Sequence, residues 1–181
     1  YWFVSHLAAK QPFNTKAKIL ALLWLVFLPN AFYLATDFIH LQESSARTLL
    51  FDVVLMLSFT FNGFVLGYIS VYSVHYTLLK RLPARIAHAI IAGSFLLCGF
   101  AIYLGRYLRW NTWDIVLNPA GLVFDVSERF LNPSLHTQTF WTTGLFFVFI
   151  GAFYVVAWRF VLELLPHNRP SIKPEAPVVK R

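Results

Sequence analysis

The side chains best equipped for chemistry gather in three short stretches, FLPNAFYLATDFIHL, LLFDVVLML and YLGRYLRWNTWDIVLNP. These carry Asn30, Asp37, His40, Asp52, Arg106, Arg109, Trp110, Asn111, Trp113 and Asp114. Asp37 and His40 stand three apart, which puts both on one face of a helix. Together with Asp52 they supply two carboxylates and an imidazole, donor types that hold a divalent cation or pass protons in acid and base catalysis. The structural alternative is that acids at helix ends cap amides or pair with cations. Arg106 and Arg109 are also three apart, and two guanidinium groups so spaced can clamp a phosphate or take carboxylates bidentately. The acids of these regions, Asp37, Glu43, Asp52, Asp114, Asp125 and Glu128, are numerous enough to neutralise both central arginines. An Asp and Arg network tying three helix ends together therefore explains the same residues without a ligand.

The elements that position these groups follow from composition. Of 181 residues, 58% are hydrophobic and 13% charged, with 19 Phe and 6 Trp, more apolar surface than one soluble core can hide. A helix needs about 20 mainly apolar residues to cross the hydrocarbon layer. Four runs qualify, Lys18 to Ala35, Thr48 to Tyr76, Ile86 to Leu104 and Thr139 to Leu165, and Tyr1 to Leu7 reads as the end of a fifth. The expected fold is all-α, a polytopic transmembrane bundle over residues 1–165, followed by a Pro-rich, basic, disordered tail over 166–181. The opening on Tyr rather than Met suggests residues upstream of this sequence. Cys98 falls inside a span and is expected to pack as a small apolar residue.

The net charge of +7 is spread beside the spans rather than gathered in a patch, so it speaks for topology and against a nucleic-acid partner. Lys10, Lys16 and Lys18, then Lys80, Arg81 and Arg85, then Arg169, Lys173, Lys180 and Arg181 alternate with the acidic or balanced segments 37–47 and 105–138. Because Lys and Arg collect on the cytoplasmic side, the alternation places the basic segments and the tail inside and the three polar stretches outside.

Within this frame several residues acquire local roles. Pro29 leaves the Leu25 carbonyl without its usual amide partner and predicts a kinked or unwound outer end to its span, with Asn30 as a substitute donor. The next span would be about 43 Å long at 1.5 Å per residue, with Asp52 near the outer boundary and Asn62 roughly 15 Å deeper. Gly63 and Gly67 form a small-xxx-small pair, so the face they share with Asn62 is expected to meet protein, most simply another helix of the same chain. Asn118 followed by Pro119 predicts a capped amphipathic helix at the outer interface. Leu122, Val123, Val126 and Phe130 form its apolar side, and Asp125, Glu128 and Arg129 its polar side. Trp110, Trp113, Trp141, Tyr103 and Tyr107 suit the aromatic belt at headgroup level. His75 and His88 flank the inner loop, where hydrogen bonds to headgroups or water are expected in preference to haem or pigment ligation. Which cofactor binds, if any, stays open. Nucleophile triads, phosphate-binding glycine loops and dinucleotide fingerprints are absent from the sequence.

LPNAFYLATDFIHL, the LLFD opening of the following span and YLGRYLRWNTWD, with the spacing between them, resemble an uncharacterised bacterial membrane family, domain of unknown function 1361. Phe32 departs from its pattern, standing where a second Pro is expected after Ala31. The resemblance implies a bacterial multi-pass protein of the cytoplasmic membrane, or of an internal membrane derived from it, and carries no activity. Two functions remain in view. The preferred one is a non-catalytic subunit or scaffold of a larger membrane assembly, with lipids and protein partners around it and no charge at the midplane to mark a transport path. The alternative is an enzyme or a lipid- or anion-binding protein that uses an outer pocket of Asp37, His40, Asp52, Arg106 and Arg109.

Overall fold

A computed structural model describes residues 15–164 apart from Ser44 and Ala46. The expected fifth span at the N-terminus and the basic tail lie outside these residues. The described chain runs α1 (Thr15–Tyr33), a 3-10 helix (Leu34–Glu43), α2 (Leu49–Leu79), α3 (Ala84–Tyr107), α4 (Asp114–Leu117), α5 (Pro119–Leu131) and α6 (Thr137–Leu164), with no strand among the described residues. Four stretches are long and apolar enough to cross a membrane, Thr15–Gln42, Leu49–Leu79, Ala84–Tyr107 and Thr137–Leu164. The fold is therefore the all-α, multi-pass membrane bundle expected. Large apolar side chains along the spans face outward, among them Leu50, Phe61, Leu66 and Val156, as they must where the solvent is hydrocarbon.

Lipid tails are as apolar as leucine, so the helices are held by close packing and hydrogen bonds rather than by hydrophobic exclusion from water. Gly63 and Gly67 let α2 lie against α1: a Cβ at Gly63 would come within 2.6 Å of the Ala31 carbonyl oxygen, and one at Gly67 within 3.0 Å of the Ala31 Cβ. The partner of this face is thus a helix of the same chain. Asn62 is not part of it. Its side chain is exposed, and its Nδ2 donates to the Ser58 carbonyl oxygen one turn back at 2.8 Å. One residue's step turns a helix by about 100°, which is enough to take Asn62 off the packed face.

The core collects where α1, α2, α3 and α6 meet. Phe32 is fully buried, with ring centroids 5.5 Å from Phe64, 5.2 Å from Tyr68 and 6.5 Å from Phe95. Val71, Cys98, Ile102 and Ile150 are buried with it, and Cys98 is the small packing residue expected. Two polar side chains stitch helices across this core: Trp24 Nε1 donates to Ser70 Oγ at 2.8 Å, and Tyr68 Oη to the Ile150 carbonyl at 3.1 Å. A similarly close approach joins α3 to α6, where a Cβ on Gly99 would meet the Thr143 carbonyl oxygen at 2.5 Å.

Pro29 is carried inside α1, and the winding tightens only at Leu34, five residues later. Asn30 does not serve the Leu25 carbonyl; its carboxamide faces Thr112, 3.4 Å away. The carbonyls at the change of winding are served by hydroxyls, Thr36 Oγ1 donating to Tyr33 at 2.7 Å and Thr60 Oγ1 to Leu34 at 3.3 Å. The antiparallel spans give the bundle two ends. One, the arginine end, carries the 3-10 helix, α4, α5, Arg106 and Arg109. The other, the histidine end, carries His75 and His88 with Lys16, Lys18, Lys80, Arg81, Arg85 and Arg159 at the helix termini.

Gly99→Ala should lower the melting temperature of the detergent-solubilised protein, with a cost of about 1–3 kcal/mol, because the methyl group meets backbone that cannot rotate away. Gly93→Ala, where a Cβ has nothing within 4 Å, should leave the melting temperature unchanged or raise it, through the better helix propensity of Ala.

Candidate functional site

At the arginine end the winding of the chain decides which polar groups meet. In a 3-10 helix residues three apart eclipse one another, so Asp37 and His40 lie in line along Leu34–Glu43. Both reach Arg106 in the last turn of α3: Nη1 lies 3.4 Å from Asp37 Oδ1, and both terminal nitrogens lie 3.4 Å from His40 Nε2. Asp37 and Arg106 are partly exposed. This pair ties the 3-10 helix to α3 and neutralises Arg106.

Asp52 does not join them. It sits in the first turn of α2, where a carboxylate suits the positive end of the helix dipole, and its side chain makes no hydrogen bond or ion pair to any described residue. Among the described residues no three His, Cys, Asp or Glu side chains are placed to hold a metal ion.

The α3 helix ends on a reversal. Leu108 and Trp110 both donate their amides to the Leu104 carbonyl at 3.2 Å, and between them Arg109 takes φ 57°. This is the left-handed region that side chains other than Gly and Asn enter at a cost of about 1–3 kcal/mol. The reversal throws Trp110 back over the bundle, where its Nε1 donates to Asp125 Oδ2 of α5 at 2.7 Å. Asp125 also faces Arg129, Nη1 to Oδ1 at 3.6 Å, and Arg129 in turn donates from Nε to Tyr103 Oη at 3.4 Å and from Nη1 to the Asp125 carbonyl. Arg129 is only 6% exposed.

The cap foreseen for α5 is present, Asn118 Oδ1 accepting from the Gly121 amide at 3.2 Å. The helix is, however, turned so that Asp125 and Arg129 dock on the bundle, while Val123, Phe124 and Phe130 are exposed. That orientation suits an interfacial helix, with the apolar side offered to the acyl boundary and the charges satisfied beneath it.

The two central arginines are therefore separated rather than joined in a clamp. Arg106 belongs to the Asp37 and His40 group. Arg109 is exposed, has no hydrogen bond or ion pair to any described residue, and borders a cavity of about 500 Å³ between α1, the end of α3 and α4. Asn30, Asn111, Thr112, Trp110 and Trp113 line the same cavity, and Val26, Phe27, Leu104 and Ile115 make its apolar side. Trp113 packs edge-on to Phe27 with centroids 6.1 Å apart, and Asp114 is occupied in accepting the Asn111 amide at 2.6 Å. Of the residues expected to form one pocket, Asp37, His40, Asp52 and Arg106 do not line this cavity.

Residues 2–154 match the family described as protein of unknown function (DUF1361). The chain belongs to this family. No curated protein and no solved structure matches it. Within this family member, the contacts that sequence reasoning missed are Arg129 with Tyr103 and Trp110 with Asp125. The spacing of Asp125 and Arg129, four apart on a helix whose termini were legible, marked the pair as mutually reachable, but the side to which they point is set by the fold.

Arg129→Gln should lower stability by about 3 kcal/mol, since it strips a buried guanidinium from Asp125 and Tyr103. Arg106→Gln, in a partly exposed pair, should cost under about 1 kcal/mol, and Asp52→Asn close to nothing. Melting curves of the three proteins in one detergent check the order.

Proposed function

We propose that this protein binds an anionic headgroup, that of a membrane phospholipid or of a lipid-linked phosphate, in the cavity at its arginine end. The observation that carries the reading is Arg109. A scaffold whose charges serve only to tie helices together would pair its arginines, as Arg106 and Arg129 are paired. Arg109 has no acid partner among the described residues and stands at a backbone conformation where Gly would be less strained, beside three hydrogen-bonding side chains, Asn30, Asn111 and Thr112. A guanidinium at the mouth of a cavity with an apolar flank fits an amphiphile whose phosphate takes the fork of donors and whose chains follow Phe27, Val26 and Ile115. The Lys- and Arg-rich termini at the histidine end, which by the positive-inside rule favour the cytoplasmic side, support an outward-facing cavity in a bacterial cytoplasmic membrane as part of this reading. No reaction is assigned: Asp37 and His40 are engaged with Arg106 and stand outside the cavity.

A second reading, membership of a larger assembly, is favoured by Asn62. A carboxamide exposed between Phe61 and Val65 on a span, about 20 Å from the start of α2, is costly against lipid and is better met by a polar group of another membrane protein. The two readings are compatible, because the cavity and Asn62 lie on different parts of the molecule. A photo-crosslinker at position 62 should give a discrete protein adduct in the native membrane if the second holds, and lipid adducts alone if it does not.

Added phosphatidylglycerol should raise the melting temperature of the protein in mild detergent, whereas phosphatidylcholine should do so less, because a ligand that binds only the folded state stabilises it in proportion to its occupancy. Arg109→Gly should abolish the phosphatidylglycerol shift while leaving the ligand-free melting temperature equal or higher, since Gly relieves the left-handed strain. A shift that survives the substitution would remove Arg109, and with it this reading.

A further inference from the structure

The opposite end of the bundle holds a second and larger cavity, about 790 Å³ between α3 and α6, running from His75 and His88 past Ile91 and Phe95 toward Phe147 and Gly151. His88 to Phe95 is about 10 Å along the helix, so the cavity reaches from the membrane boundary well into the hydrocarbon layer. Its flanks, Val148 and Val155, are more than half exposed, which makes it accessible from lipid. His75, expected with His88 to meet headgroups or water, is instead buried and bonds His88 and Tyr154. His75 is 3% exposed and lies stacked on Trp158 with centroids 4.3 Å apart. Its Nδ1 lies 2.8 Å from Tyr154 Oη and its Nε2 2.9 Å from His88 Nδ1.

The direction of this chain follows from its buried end. Tyr154, 5% exposed, has no hydrogen-bond partner but His75 among the described residues, so its hydroxyl must donate there. His75 Nδ1 is then the acceptor, its Nε2–H donates to His88 Nδ1, and neutral His88 carries its proton on Nε2. That Nε2–H has no partner among the described residues, and His88 borders the cavity. With both nitrogens of His75 engaged and one of His88, the pair does not ligate a metal in this arrangement. The arrangement also selects among hydrogen-bond acceptors. A second hydrogen on His88, at Nδ1, would oppose the Nε2–H of His75 and force the chain to reverse at the buried phenol, so the chain as drawn offers the ligand one donor and no acceptor on His88. A neutral carbonyl accepts from Nε2–H and leaves the chain as it is. Arg159, which is exposed, also borders the cavity.

We propose that this cavity binds a lipid-soluble quinone, with a ring carbonyl accepting from His88 Nε2–H, the ring among Phe95, Tyr154 and Trp158, and the isoprenoid chain passing Gly151 into the bilayer. Flat aromatic lining, lateral access and a single fixed donor match a neutral, ring-headed, long-tailed molecule. Gly151 matters because a Cβ there would already touch Phe95 at 4.0 Å, so a larger side chain fills the passage. The site is separate from the arginine-end cavity and does not depend on what binds there.

The test is a titration of the purified full chain in phosphatidylcholine nanodiscs with decylubiquinone, read by quenching of tryptophan fluorescence and repeated with excess oleate. Saturable quenching is expected, weakened roughly fivefold to tenfold by His88→Ala, the worth of one hydrogen bond, lost in Gly151→Leu, and unaffected by oleate. Quenching that never saturates, or that is the same in the wild type and both variants, overturns the proposal. Displacement by oleate overturns it in favour of a fatty-acid site. Should Gly151→Leu fail to fold, His88→Ala decides, because the exposed His88 ring can be removed and water can take its place beside His75.

Discussion

The contact of α3 with α6 at Gly99 is the constraint on which the remaining geometry rests. With the Thr143 carbonyl oxygen 2.5 Å from where a Cβ would be, any larger residue at position 99 would meet the α6 backbone, so the facing sides of the two helices are constrained there. That pairing of faces brings Tyr154 of α6 to His75 at one end. At the other it holds Tyr103 of α3 beneath α5, where Arg129 finds it. In hydrocarbon, close backbone packing of this kind substitutes for the exclusion of water that drives a soluble core, so a single small residue determines placements some distance along the helices.

The two ends use their polar groups differently. At the histidine end three side chains form a chain whose members satisfy one another and leave one outward donor. At the arginine end the charges divide into two closed groups, Asp37 and His40 with Arg106, and Asp125, Trp110 and Tyr103 with Arg129. Beyond these, Glu128 faces His136 at 3.8 Å and Asp114 accepts the Asn111 amide, while Arg47, Arg109 and Asp52 make no side-chain hydrogen bond or ion pair to a described residue. Asp52 has the dipole of its helix as a partner. Arg109 has none among the described residues, and it stands at the reversal that also delivers Trp110 to Asp125. The strain of that position thus serves the architecture, while the side chain that bears it points to chemistry.

Length and polarity made the spans legible. The four apolar runs ended within three residues of the helices that form, except at α1, where the 3-10 helix continues to Glu43. The Asn118 cap, the role of Cys98 and the packing face of Gly63 and Gly67 were equally readable, because each depends on residue type and local spacing. Asn62 and α5 were less so. Both were assigned to a face by proximity or by amphipathic pattern, and in a membrane protein that pattern is ambiguous: an apolar side may face lipid instead of a core, and a polar side may be buried if it finds partners. The two arginines illustrate the same limit, since a spacing of three implies a shared face only while the helix continues, and α3 ends between them.

The sequence by itself determined the class of the molecule, four membrane-spanning helices with polar groups concentrated at their ends and membership of the DUF1361 family, because hydrocarbon thickness and the cost of unpaired backbone leave few alternatives to a run of apolar residues. Only the tertiary structure decided which charge meets which, leaving Arg109 without a partner among the described residues and Arg106 engaged, and which way α5 is turned. Those outcomes depend on the rotation and depth of each helix against its neighbours, quantities fixed by backbone contacts such as Gly99 with Thr143 and invisible in the spacing of residues along any one helix.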